Sequence, residues 1–196
     1  MNDNHYLGDC MGYLCKKFSQ AVGNLWNNLW FHETTATDVT RETQRAAKQQ
    51  KSLDGSDLKN LNLSGALIDG LAHDHLLSMK KSDFSGSNLS GARFSFVDLS
   101  EADFTGADLS KTTFVGCNLS KANMEQAMLA GARFSDCDIS EATMKGANLS
   151  GARLFGCALS NSNMSETIQE NLEVSSCWGN KNTQIKPSQK IKSLCV

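Results

Sequence analysis

Residues 102–126 read ADFTG ADLSK TTFVG CNLSK ANMEQ, five blocks of five whose third residue is always apolar. Counting in fives from Phe84 gives Leu89, Phe94, Leu99, Phe104, Leu109, Phe114, Leu119, Met124, Leu129, Phe134, Ile139, Met144, Leu149, Leu154, Leu159 and Met164, with no polar member. Two residues before each stands a small residue, usually Ala, Ser or Cys, and the residue between the two is mostly Asp, Asn, Arg or Thr. A period of five fits neither a helix nor a flat strand. A chain that turns a corner once per block satisfies it: the large and the small residue face inward, the polar residue faces out, and Ser-Gly turns the corner. Glycine suits the third turn position, where φ is positive.

A slower period sets the number of sides. Phe84, Phe104, Met124, Met144 and Met164 lie twenty residues apart, as do Leu89, Leu109, Leu129 and Leu149; Phe94, Phe114, Phe134 and Leu154; and Leu99, Leu119, Ile139 and Leu159. Like residues every four blocks mean four sides per coil, with neighbouring coils about 4.8 Å apart. Arg93, Arg133 and Arg153 keep the same step, and so do Cys117, Cys137, Cys157 and Cys177. Blocks such as Ala107-Asp108-Leu109-Ser110-Lys111 and Ala147-Asn148-Leu149-Ser150-Gly151 resemble the pentapeptide-repeat family, whose pattern is A-(D/N)-L-x-x. That resemblance implies an all-β solenoid, a right-handed quadrilateral β-helix, and says little about function, because one fold serves unrelated roles. Members include effectors that pathogenic bacteria inject into host cells and that act at membranes. Others are DNA mimics that occupy the duplex site of a type II topoisomerase, inhibiting gyrase or protecting it from quinolones.

The 196 residues carry a net charge of −2, which gives no strong bias toward nucleic acid. Residues 82–166 hold ten acidic and six basic residues, a balance of −4, and residues 167–196 hold two acidic residues and four lysines, a balance of +2. Mimicry of DNA requires dense negative charge in place of phosphates, so the DNA-mimic reading ranks second, and no direct nucleic-acid binding is expected. The four spaced cysteines read as reduced packing residues on one inward column. No cleavable signal peptide and no apolar run long enough to span a membrane is legible. The expected setting is therefore the cytoplasm of the producing cell, or a host membrane reached by export without a cleavable signal.

Three regions follow. Residues 1–50 form an N-terminal extension, 51–179 the β-helix, and 180–196 a lysine-rich tail expected to be disordered. Within the extension, Leu14, Phe18, Val22, Leu25, Trp26, Leu29 and Trp30 give residues 11–31 one apolar helical face, with Lys16 and Lys17 and no acid. Two readings stay open for this segment: a helix lying in a membrane interface, assisted by acylation of Cys10 or Cys15, or a helix that caps the solenoid or self-associates. Residues 32–50 read as a polar linker helix capped by Thr37 or Asp38, with Arg41, Glu42, Arg45 and Lys48 facing water.

From Leu53 the count resumes at Leu58, Leu63 and Ile68, out of phase by one. A single-residue bulge or small loop is therefore expected between Asp69 and Ser78. After Met164 the pattern frays: Gln169 stands where an apolar residue belongs, and Trp178 is expected to fold over the last coil as a lid.

Chemistry is sparse. Asp69, His73, Asp74 and His75 could in principle hold a metal, but two histidines without a third ligand read as an exposed loop; no cofactor and no enzymatic activity is expected. The stronger surface signal is one side of the tube, where Arg93, Arg133 and Arg153 lie on or beside the side that carries Phe96, Val115 and Phe155. Apolar residues among arginines have the composition of a protein-binding patch; the competing reading packs them under the N-terminal segment. The sequence thus points to a non-enzymatic protein-binding scaffold of the secreted-effector kind, whose N-terminal segment tethers it to a membrane or caps it, and leaves end-to-end dimerisation open.

Overall fold

The computed structural model describes residues 35–49, 52–70, 76–183 and 185, and the backbone of 190–191 and 194–195. Residues 11–31, Cys10, Cys15, His73, Asp74 and His75 lie outside that set.

The chain winds into a four-sided parallel β-helix. The third-column side carries its strands: β1 (Leu67–Asp69), β3 (Arg93–Ser95), β5 (Thr113–Val115), β6 (Arg133–Ser135), β7 (Arg153–Phe155), β8 (Glu173–Ser175) and β10 (Lys190–Ile191), which form a seven-stranded parallel sheet in the order β1-β3-β5-β6-β7-β8-β10. The next side holds two short parallel pairs, β2 (Leu77–Ser78) with β4 (Val97–Asp98), and β9 (Cys177–Trp178) with β11 (Leu194–Cys195). Elsewhere neighbouring coils meet through single bridges, such as Asp83 with Asp103 and Asn88 with Asp108.

Turn geometry explains the difference. After the first, second and fourth columns a tight turn closes on an i to i+3 backbone bond, as from Ala107 N–H to Phe104 O at 3.0 Å or from Ala102 N–H to Leu99 O at 3.1 Å. No such bond follows the third column among the described residues, so the chain stays extended there for three residues per coil.

The interior is dry and ordered by the fifth-residue hydrophobes. Leu89, Leu109, Leu129 and Leu149 are all completely buried, as are Phe94, Phe104 and Phe114. Phe84 stacks on Phe104 with ring centroids 4.9 Å apart and planes within 6°, Phe114 stacks on Phe134 likewise at 4.9 Å, and Phe84 meets Phe94 edge-on at 6.0 Å. The rise per coil is therefore that of paired strands. Cys117, Cys137, Cys157 and Cys177 are buried and unbridged on one inward column. Gln169 also points inward, and donates from Nε2 to Thr167 Oγ1 at 2.7 Å, while that hydroxyl donates to Met164 O. The amide substitutes for a hydrophobe because its polar end finds a partner.

The positive-φ corner position is filled by glycine in only part of the chain. Lys111 (φ 57°), Gln126 (φ 57°) and Asp136 (φ 55°) take it at other corners. After the fourth column it carries Lys81, Glu101, Lys121 and Glu141 on successive coils, with Lys81 Nζ 3.5 Å from Glu101 and Lys121 Nζ 3.9 Å from Glu141.

Three expectations need correction, and one of two alternatives is favoured. Gly70 N–H bonds Ser95 O, and Leu77 N–H bonds the next carbonyl, Phe96 O, which favours the small loop over the single-residue bulge between Asp69 and Ser78; residues 71–75 lie outside the described set. Gly70 marks the exit because a β-carbon there would collide with the Phe96 carbonyl oxygen.

The polar helix is not a solvated linker. α1 (Ala36–Lys48) packs on β1, burying Val39, Glu42, Thr43, Ala46 and Ala47, and its Thr40 hydroxyl accepts the otherwise unpaired Leu67 N–H at 2.9 Å. Its cap is Thr35, in a reciprocal capping box with Asp38. Glu42, expected to face water, sits on the packed side, and its Oε2 is buried without a hydrogen-bond partner.

Trp178 is no lid. It occupies the outward middle position after Cys177, paired in register with Ala158, and is 52% exposed. The same period that sends Cys177 inward sends its neighbour outward. The end of the last coil is met instead by Ile185, packed against the core, and by Thr183, whose hydroxyl donates to Leu159 O at 2.9 Å.

Finally, the tail expected to lack structure contributes β10 and β11. The final coil presents unpaired strand edges, and the returning backbone pairs with them: Ile191 with Val174 and Cys195 with Trp178.

Candidate functional site

The seven-stranded sheet is flat on its outer side and carries two parallel rows of side chains. Strand register places Leu67, Arg93, Thr113, Arg133, Arg153 and Glu173 in one row across the coils. Two residues along each strand, a second row holds Asp69, Ser95, Val115, Ser135, Phe155 and Ser175. Residues flanking an inward-facing position both point outward, which is why an Arg-Phe-Ser or Arg-Leu-Phe strand displays its first and third members together.

The three arginines are exposed but differ in what holds them. Arg93 Nε donates to Ser95 Oγ at 3.1 Å within its own strand. Arg153 pairs with Glu173 one coil on, at 3.2 Å. Arg133, between Thr113 and Arg153, forms neither a salt bridge nor a side-chain hydrogen bond among the described residues. Phe155 is 53% exposed in the adjoining row, and Val115 is half-buried two coils earlier. Phe96 is separate from this pair. It sits at the corner with φ 54°, and its ring lies against Gly116, where an added β-carbon would approach Cε1 to 2.7 Å. Thr113 and Glu173 belong to the row and went unnoticed in the sequence, although both keep the twenty-residue step.

The opposite side is the acidic one. Asp57, Asp83 and Asp103 bridge in register, but Lys59 lies 3.7 Å from Asp57 and 3.8 Å from Asp83, and Asp83 and Asp103 accept hydrogen bonds from Ser85 and Thr105. Among the described residues no group of three or more His, Cys, Asp or Glu could hold a metal ion. Within the cysteine column, hydrogen bonding with Cys117 draws the Cys137 thiol down to about 4, and hydrogen bonding with Cys157 draws Cys177 down to about 7. Hydrogen bonding with Cys137 and then burial push the Cys117 thiol up, and hydrogen bonds with Cys137 and Cys177 and then burial do the same for Cys157. No described helix is long and apolar enough to cross a membrane.

A parallel solenoid with five-residue sides and four sides per coil defines a class by its geometry, the quadrilateral β-helices. A family model described as the pentapeptide repeat region matches residues 87–164. A trypsin-treated form of QnrB1, a plasmid-mediated fluoroquinolone resistance protein, is similar at 18% identity over 65% of this chain and 72% of its own, with a TM-score of 0.50. HetL, involved in heterocyst differentiation regulation in the cyanobacterium Nostoc sp. strain PCC 7120, is 19% identical over 76% of this chain and 81% of its own, with a TM-score of 0.28. Rfr23 from the cyanobacterium Cyanothece 51142 is 22% identical over 74% and 97%, with a TM-score of 0.28. No curated protein sequence matches this chain. At 18% identity the likeness to QnrB1 speaks for the fold alone.

Proposed function

We propose that the chain is a non-enzymatic scaffold that holds a partner protein on the outer side of its seven-stranded sheet. The observation that carries this reading is the in-register row of Arg93, Arg133 and Arg153 beside the exposed Phe155. Arginine and aromatic side chains are the residues most enriched where binding energy concentrates. A rigid sheet presents them with little ordering left to do on binding. Charge argues for an external occupant over the chain's own N-terminal segment, since residues 11–31 contribute two lysines and no acid to offset the arginines.

That segment is proposed as a membrane tether. Liposome co-sedimentation of the full chain against one lacking residues 1–31 tests it, and equal binding by both forms would remove the tether. The binding face is tested by affinity capture from cell extract with wild type, Arg133→Glu and Phe155→Ser. Loss of the same partner with both substitutions supports the face, whereas unchanged capture with both removes it.

The DNA-mimic reading stays second. Its support is the Asp57, Asp83 and Asp103 column, which Lys59 already partly neutralises. Inhibition of gyrase supercoiling, or protection of gyrase from a quinolone by the purified chain, would reverse the order.

A further inference from the structure

The two rows on the sheet constrain what can lie on them. We infer that the occupant of this face is an amphipathic α-helix, acidic along one stripe and apolar along the next, laid parallel to the solenoid axis. The inference rests on the scaffold reading above and specifies its ligand.

Two arguments lead there. The outer side of a sheet offers side chains but no backbone donors or acceptors, because every strand N–H and C=O lies in the sheet plane. A polypeptide resting flat on it must satisfy its own backbone, and a helix does so while an extended segment leaves its groups facing a surface that cannot pair with them. The second argument is spacing. Coils repeat at the 4.9 Å of the stacked phenylalanines, so Arg93 and Arg133 stand two repeats apart and Arg153 one repeat further.

A helix rising about 1.5 Å per residue brings i and i+7 to about 10.5 Å and i and i+11 to about 16.5 Å on one stripe. Those intervals follow two and three repeats to within the reach of an arginine side chain. Same-side residues of an extended chain recur at about 6.6–6.8 Å, which brings the second of them near Arg153 but none level with Arg133. The second row agrees: Val115 and Phe155 are also two repeats apart, so apolar residues at i and i+7 on a stripe beside the acidic one would meet both. Arg133 supplies the least encumbered charge, since Arg93 and Arg153 hold Ser95 and Glu173. Guanidinium groups pair with carboxylates through paired donors.

The test uses the full chain and three fluorescently labelled alanine-based peptides of one composition, followed by anisotropy. One places Glu at i, i+7 and i+11 with Leu on the neighbouring stripe. A second scatters the same residues around the helix, and the third interrupts the stripe with two prolines. The striped helix is expected to bind at least about tenfold more tightly than either control, and Arg133→Glu to weaken it by a similar factor with an unchanged thermal melt. Equal binding of all three peptides, each weakened by Arg133→Glu, would overturn the helical occupant and leave the scaffold face standing. Binding by none of them, with the captured partner unaffected by Arg133→Glu and Phe155→Ser, would overturn both. Preference for anionic vesicles over the striped peptide would reassign the face to a lipid surface and sink the inference.

Discussion

The ring of Phe96 rests against the α-carbon of Gly116 one coil further on, so closely that a β-carbon at Gly116 would come within 2.7 Å of ring atom Cε1. Gly116 also has φ 60°, so two separate reasons call for glycine there. Gly131, at φ 68°, has nothing nearer than Lys111 Cγ at 3.6 Å. Gly131→Ala should therefore lose about 1–2 kcal/mol from the left-handed backbone alone. Gly116→Ala should lose more, and Phe96→Ser should recover part of the excess. Urea denaturation of the two single variants and the double variant measures the coupling; simple additivity would mean that the contact carries no energy.

Lysine at a positive-φ corner is strained by the same rule. Lys111 sits at φ 57° and is exposed, without an ion pair among the described residues. Lys111→Gly should raise stability modestly, because relief of about 1–2 kcal/mol of backbone strain outweighs the roughly 0.5–1 kcal/mol of added chain entropy. The thermal midpoint should rise by a few degrees at most, and a fall would show that the lysine stem packs usefully along the tube.

Leu109 is completely buried between Leu89 and Leu129 in its column. Leu109→Ala should cost about 2–5 kcal/mol through lost burial and the cavity left behind. Leu109→Asp should abolish cooperative folding, because a charge in that column has no partner. Circular dichroism melts separate the two outcomes.

At the helix-capped end, Glu42 Oε2 is buried without a hydrogen-bond partner while Thr40 Oγ1 holds the Leu67 N–H. Glu42→Leu should stabilise the docked helix by about 1–2 kcal/mol, and Thr40→Ala should destabilise it by about 1 kcal/mol. Limited proteolysis between α1 and Leu53, together with the thermal melt, reports both effects.

The thiols of Cys117 and Cys157 are raised above the ordinary cysteine value by hydrogen bonding within the column and by burial. The same hydrogen bonds draw Cys137 and Cys177 the other way, so the contributions of the column to pH-dependent stability oppose one another. Mass-spectrometric mapping after alkylation should find the Cys117 and Cys157 thiols unlabelled in native protein at pH 8 and labelled in urea.

The tube itself was legible because every inward residue recurs at a fixed interval. Once Leu109 and Leu129 are known to stack, so are Arg133 and Arg153, and the two rows of the sheet follow. Where the interval is broken the reading failed or stayed open for identifiable reasons. The eleven positions from Ile68 to Met79 divide equally well into two blocks and a bulge or one block and a small loop, so arithmetic alone leaves both open. Glu42 was assigned to water on polarity, although Val39, Thr43, Ala46 and Ala47 define a small-residue face that it shares. Trp178 was judged by size when its position next to Cys177 decides its direction. The tail's strands arise from unpaired backbone on the last coil, which no side-chain pattern in residues 180–196 announces.

The corner bearing Lys81, Glu101, Lys121 and Glu141 gives the winding a parity. Each pair is exposed and contributes at most about 1 kcal/mol, yet coils this alike could skip one turn and still bury the same hydrophobes. Skipping a coil would set lysine over lysine or glutamate over glutamate at the point of the skip, so the alternation selects consecutive winding over its nearest counterfeit while adding little to the depth of the native well.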